Sequence, residues 1–404
     1  MFDRYFKGGI VLDRNSKLVL SILLGSLFIA FMGIGLVIPV FPKLMVELNV
    51  GGKTVGLLTA MFALTQLIAS PLTGKATDYF GRKIMIVIGL FIFGGSELLF
   101  AIGDNVTVLY ISRALGGISA AFIMPAVSAF IADITTDETR PKAYGYMSAA
   151  ISTGLIIGPG AGGFLADFGI RTPFYVAGLL GILAGIFSWI ILREPKRQET
   201  YEPKMVKSKG NLQKILMPMF LMAFIVIFIS NFGLMSFESF YGLFVDVKLN
   251  FTPKDIAIAI TGGAIVGAII QITLFERLTR WLGEIKLIRY VLLLSAINAA
   301  AFPFLNSYVV VLISTMLAFI FFDLVRPAVT TYLASIAGPD QGFVGGMNSF
   351  FTSLANVIAP IICGILFDIE IAYPFYLAAI TIAFGFVIAI FWKKPSKVTL
   401  GVQV

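Results

Sequence analysis

Histidine is missing altogether, and cysteine occurs once, as Cys363. The first absence removes the side chain whose ordinary titration falls nearest neutral pH, so a proton carrier built from this chain has to be a carboxylate. The second excludes an internal disulfide, and together they leave no His/Cys cluster for a metal centre. Charge is scarce as well: 13% of the 404 residues are charged, against 58% apolar. A water-soluble domain could not hide that much apolar surface, so lipid has to cover much of it. A phosphate-binding loop is also lacking. Gly52-Lys53-Thr54 ends like one, but the glycine required five residues earlier is Glu47, so ATP is not the evident energy source and no cofactor is implied.

What is present is a series of long apolar stretches. A bilayer crossing needs about 20 mainly apolar residues. Twelve such stretches run approximately over 18–42, 54–73, 84–103, 106–132, 143–168, 172–192, 215–245, 255–275, 287–305, 308–333, 346–367 and 372–392. The first is too long for a cleaved leader and no small-residue cleavage site follows it. The net charge of +8 does not point to nucleic acid, because the basic residues fall on one side of the membrane. Of the 30 Lys and Arg, only Lys43, Lys53, Arg171, Lys248 and Lys254 fall on the other side, and Arg113 and Arg326 lie within stretches. The positive-inside rule therefore predicts a multi-pass cell-membrane protein with both termini in the cytoplasm.

The chain also repeats itself. Pro125-Ala126-Val127-Ser128-Ala129-Phe130-Ile131-Ala132 returns as Pro327-Ala328-Val329-Thr330-Thr331-Tyr332-Leu333-Ala334. Phe164-Leu165-Ala166-Asp167 returns as Ile365-Leu366-Phe367-Asp368, and Pro173-Phe174-Tyr175 as Pro374-Phe375-Tyr376, at an offset of 201 to 202 residues. An apolar chain made of two like halves predicts an all-α membrane protein with two pseudo-symmetric six-helix bundles, the form of a transporter whose halves rock about one central site. The expected division is 1–192 for the first bundle, a basic cytoplasmic linker over 193–214, and 215–404 for the second. The remaining loops are too short for a soluble catalytic or sensor domain, so an enzyme is not expected.

Three segments carry more specific patterns. Between the second and third stretches lies Gly74-Lys75-Ala76-Thr77-Asp78-Tyr79-Phe80-Gly81-Arg82-Lys83. Its glycines suit a tight inner turn, Asp78 suits a helix N-terminus, and Arg82 and Lys83 suit the cytoplasmic surface. Arg280-Trp281-Leu282-Gly283-Glu284 is its fainter echo. The fifth stretch carries Gly154, Gly158, Pro159, Gly162 and Gly163, small residues whose spacing lets helix backbones approach, with a proline to bend the helix. Of these the second half keeps Pro360 and Gly364. The fourth stretch holds Arg113, whose burial costs about 2.5–3.5 kcal/mol on insertion scales and which should face the protein interior.

Three acids lie at membrane depth: Glu97, Glu238 and Asp323. A carboxyl group carries protons reversibly when its surroundings bring its titration into the physiological range. Asp323 has Arg326 three residues on, whereas the repeat positions Ala121 and Met124 are uncharged, so this pair belongs to one half alone. It suits proton coupling or a plain structural ion pair. Glu238 lies in Phe237-Glu238-Ser239-Phe240-Tyr241, where rings and an acid together suit a lipophilic cation. Glu97 sits near the outer end of its stretch. Further substrate-contact candidates are Gln66, Asn356 and the apolar Phe31, Ile34, Ile38 and Phe319.

The loop over 74–83 resembles the major facilitator superfamily signature Gly-x-x-x-Asp-x-x-Gly-Arg-Lys/Arg, with Tyr79 departing from the basic residue usual after the Asp. Gly154 to Gly163 is similar to the Gly-x-x-x-Gly-Pro-x-x-Gly-Gly signature of that superfamily's antiporters. Arg113-Ala114-Leu115-Gly116-Gly117 resembles the segment whose Arg is implicated in proton coupling among its drug exporters, with Gly116 where Gln is usual. Gly33 to Pro39, Phe322 to Pro327 and Gln341-Gly342-Phe343 add to the resemblance, which covers about 17 to 395. It implies a monomeric proton-coupled exporter of hydrophobic, often cationic drugs such as fluoroquinolones and dyes. Gly74, Asp78, Gly81, Arg82, Gly154, Gly158, Pro159, Gly162 and Gly163 would then be conformational, and Arg113 proton-coupling. The alternatives are an exporter of one narrow substrate, and an uncoupled channel or sensor.

Overall fold

The computed structural model describes residues 14–136, 138–195, 218–337 and 341–392. Most of the expected linker and both chain ends fall outside these ranges. The described residues form α1 (Arg14–Val37), α2 (Phe41–Glu47), α3 (Gly52–Phe80), α4 (Arg82–Ile102), α5 (Val106–Ile134), α6 (Arg140–Leu165) and α7 (Thr172–Ile191). They continue as α8 (Pro218–Leu249), α9 (Pro253–Leu282), α10 (Glu284–Ala301), α11 (Tyr308–Ala337), α12 (Gln341–Ile369) and α13 (Tyr373–Phe391). All except the short α2 are long and apolar enough to cross a membrane, which gives 12 candidate spans.

The spans fall where hydropathy puts them, with two differences. The first helix stops at Val37 rather than reaching residue 42, because Pro39 has no N–H to continue the ladder, and a turn over Ile38–Val40 leads into α2. The expected inner turn over 74–83 is mostly helix. α3 continues through Gly74 and Asp78 to Phe80, and only Gly81, at φ 99°, breaks it. That φ is open to glycine and strained for other residues.

The chain divides into two compact units, residues 1–40 with 64–204 and residues 41–63 with 205–404. The internal pairings of the two repeat. In the first, α1 packs on α6 and α7, and α4 on α5 and α7; in the second, α8 packs on α12 and α13, and α10 on α11 and α13. Backbone details recur at the same offset. Asn49 (φ 52°) and Asn250 (φ 55°) make the left-handed step before α3 and α9, a conformation asparagine tolerates better than most side chains. Gly81 and Gly283 (φ 76°) then join α3 to α4 and α9 to α10. Side-chain locks recur too. The Ser112 hydroxyl donates to the Ser96 carbonyl (2.7 Å), pinning α5 on α4, and Ser314 donates to the Asn298 side chain (2.8 Å), pinning α11 on α10.

Residues 41–63 belong with the second unit because the start of α3 lies flush on α12. A Cβ on Gly56 would stand 2.0 Å from the Pro360 carbonyl oxygen, and one on Gly364 2.5 Å from the Gly52 oxygen. Asp368 then accepts hydrogen bonds from the Gly52 and Lys53 amides (2.5 and 2.9 Å), satisfying donors that a helix start leaves unpaired. Asp368→Ala should remove a cap worth about 0.5–2 kcal/mol and lower the unfolding temperature in detergent, with Asp368→Asn falling between the two. Equal melting of all three proteins would show that this cap contributes nothing.

Candidate functional site

In the second unit, α8 buries Phe237, Phe240, Tyr241 and Phe244, the i, i+3, i+4, i+7 stripe of one helical face. Phe237 packs on Phe302 (ring centroids 4.9 Å) and Phe375 (5.3 Å), while Phe240 packs on Phe367 (5.3 Å). Glu238 falls off this stripe and is half-buried. The rings beside it in sequence therefore point into the core. They do not cage a cation at the acid, contrary to the expectation from the sequence, and Phe240, fully buried, is wall rather than contact surface.

Across from α8, α11 brings up Asp323, whose carboxylate rests on the bare backbone of Gly267: a Cβ there would lie 2.7 Å from Asp323 Oδ2. Asp323 is the charge that acts on Glu238. Neither acid is hydrogen-bonded or ion-paired to a described residue. Arg326, expected to pair with Asp323, is exposed and acts on it only from beyond ion-pair distance. One turn before Asp323, Phe319 packs on Gly263 and stays half-buried. On α12, Asn356 is half-buried with its Oδ1 enclosed and unpartnered.

The first unit holds the other candidates. Arg113 on α5 meets Glu97 on α4 at 3.1 Å, and its guanidinium lies 4.3 Å from the Phe100 ring centre. Phe31 and Ile34 pack against the apolar core around α1, while Ile38 in the turn and Gln66 on α3 are half-buried. The predicted substrate residues thus divide between the two units.

At the Gly81 turn, Arg82 is buried rather than holding the surface. Its Nε donates to Asp133 (2.8 Å), and Asp78 stands 3.4 Å from its Nη2. The α4 N-terminus is met by Glu194 instead of Asp78: it accepts from the Arg82 and Lys83 amides at 2.6 and 2.9 Å. Glu194 and Asp133 were missed because each lies far along the chain from Arg82, Glu194 in the expected linker and Asp133 just past the end of a predicted stretch. On α6, Gly154, Gly158 and Gly162 lie against the α1 backbone, and Pro159 against Gly35. Gly163 is buried beside them. Gly74 has no atom within 4 Å of where its Cβ would stand, so close packing does not require a glycine there.

Twelve helices long and apolar enough to cross a membrane, in two repeating units, with acids that pair with no described residue in one and a largely enclosed Arg113 in the other, mark a secondary transporter. The sequence profile of the Major Facilitator Superfamily matches residues 23–325 and again 249–402, and the chain belongs to that family. Over 384 residues it is 60% identical to multidrug resistance protein 1 of Bacillus subtilis (strain 168), covering 95% of this chain and 98% of that protein. It is 44% identical over 383 residues to the quinolone resistance protein NorA of Staphylococcus aureus (strain N315), covering 94% and 97%. Among solved structures, a bacterial homolog of the human lysosomal transporter Spinster, inward-facing and occupied, superposes with a TM-score of 0.80 at 16% identity over 94% of this chain and 97% of that one. The nucleoside transporter NupG superposes with a TM-score of 0.78 at 13% identity over 94% and 100%. Both likenesses concern the fold.

Proposed function

We propose that the chain is a proton-coupled multidrug antiporter that exports hydrophobic, often cationic compounds, fluoroquinolones and dyes among them, by alternating access. The observation that carries this reading is the neighbouring pair Glu238 and Asp323, two acids at membrane depth with no hydrogen bond or ion pair to a described residue. Such a pair is neutralised by protons or by a cationic drug, which makes the two exchangeable. The names of the relatives, multidrug resistance protein 1 and quinolone resistance protein NorA, support drugs as the cargo.

In this cycle, protons from outside neutralise Glu238 and Asp323, drug leaves outward, and the acids release their protons to the cytoplasm. Phe31, Ile34, Ile38, Gln66, Phe319 and Asn356 contribute to the drug path, and Arg113 and Arg326 tune the charge around it. The working parts are bundles over 1–192 and 215–404 joined by a cytoplasmic linker at 193–214, in a monomer with both termini in the cytoplasm.

Purified protein in proteoliposomes should accumulate a dye against its gradient when a pH difference is imposed, and compete for it with chemically unrelated cations and neutral drugs. Transport of one compound only would favour the narrow-substrate exporter. Dye movement that never rises above equilibrium would exclude coupling.

A further inference from the structure

The buried ion pair of the first unit is absent from the matching place in the second. The register lock Ser112–Ser96 recurs as Ser314–Asn298, and Phe100 stacked on Phe174 recurs as Phe302 on Phe375. At this offset Glu97 corresponds to Ala299 and Arg113 to Thr315, both fully buried. The same pair of packed helices is thus built once with an ion pair and once without it. A buried ion pair is a poor route to stability, since desolvating both charges offsets most of their attraction.

The details of the pair point the same way. Glu97 is 2% exposed and Arg113 12%, so the acid stands behind the cation, enclosed. One contact joins them; Glu97 Oε2 and Arg113 Nε are buried with no partner among the described residues. A pair selected for stability would be bidentate, with every donor and acceptor used. The other helices packed on α4 add no charge: α7 carries none, and those of α1 are Arg14 and Lys17 in its first turn. Among the described residues, Arg113 is the one counter-charge Glu97 has.

We propose that Glu97 is a positioning residue for proton-coupled transport, holding the Arg113 guanidinium back against Phe100 through a single, releasable contact. This rests on the proposed antiport function. Neutralising Glu97 frees the guanidinium to turn away from α4, so the state of the acid sets where the cation stands during the cycle.

Glu97→Gln keeps the shape of the side chain and removes its charge. In everted vesicles it should lower pH-gradient-driven, uphill dye efflux by about thirtyfold, the lower end of the scale for losing one partner of a buried charge pair, and leave downhill dye equilibration near wild type. Glu97→Asp should recover part of the uphill rate. The reversed pair, Glu97→Arg with Arg113→Glu, separates the roles: it should restore folded protein if either single change lowers it, yet fail to pump. Uphill efflux at the wild-type rate in Glu97→Gln, or in the reversed pair, would overturn the proposal and leave a structural ion pair. Failure of the wild-type protein itself to pump uphill would instead sink the antiport reading.

Discussion

Glu238→Gln and Asp323→Asn are each expected to abolish uphill dye efflux while leaving a folded, membrane-inserted protein. Both changes keep the side-chain volume and remove only the ability to lose a proton. The structure gives no reason for either variant to misfold, because neither carboxylate caps a helix or holds an ion pair. The expected loss is large because coupling has no substitute here. The chain has no histidine, and among the described residues no further carboxylate acts on either of these two. Each proton moving down 100 mV yields about 2.3 kcal/mol, which sustains a roughly fifty-fold gradient of a neutral drug, so one or two protons suffice. A variant that cannot carry the proton should still let dye equilibrate. The measurement is dye efflux in everted vesicles energised by a pH gradient, compared with passive equilibration after the gradient is collapsed. Undiminished uphill efflux in both variants would remove these acids from the mechanism.

Gly267→Ala tests the same geometry from the opposite helix. The added methyl would meet Asp323 Oδ2 at 2.7 Å and push the carboxylate aside. Activity should fall less than in Asp323→Asn, because a displaced acid still titrates.

Much of this was legible in the sequence because it depends on features local to one helix or repeated between halves. Lipid solvation writes the spans into hydropathy, so eleven expected stretches map onto helices with only their ends moved, and the first onto α1 and the start of α2. The repeat carried the paired construction, and Gly283 echoing Gly81 marked a real backbone turn in both halves. What was not legible depends on partners far along the chain. Glu194 meets the start of α4 across 112 residues and Asp368 the start of α3 across 316, distances at which spacing rules say nothing. Helix phase explains the other misreading. Phe237 and Glu238 are adjacent in sequence but about 100° apart around α8, so the ring is fully buried and the acid only half-buried. Arg326 failed as an ion-pair partner in a similar way, since a spacing of three places two side chains near one face without making them meet.

The second large effect is expected at Gly162. Along α6, Cβ atoms added at Gly154, Gly158 and Gly162 would stand 2.8, 2.6 and 2.0 Å from the carbonyl oxygens of Phe28, Met32 and Leu36 on α1. The obstruction is backbone, which cannot rotate out of the way as a side chain can. Any side chain at 162 therefore has to force α1 and α6 apart, and they are joined along three successive turns. Overpacking a well-filled site costs typically about 1–3 kcal/mol, and a backbone clash belongs at or beyond the top of that range. Within a membrane the loss is felt fully, because helix association there depends on close packing rather than on expelling water. Gly162→Val should abolish efflux and give little monodisperse protein in detergent, and Gly162→Ala should melt well below wild type. Gly25→Ala is the control, a glycine inside α1 with no atom within 4 Å of its added Cβ, and it should behave as wild type. A Gly162→Val protein that purifies and melts like the Gly25→Ala control would mean that α1 and α6 do not meet backbone to backbone.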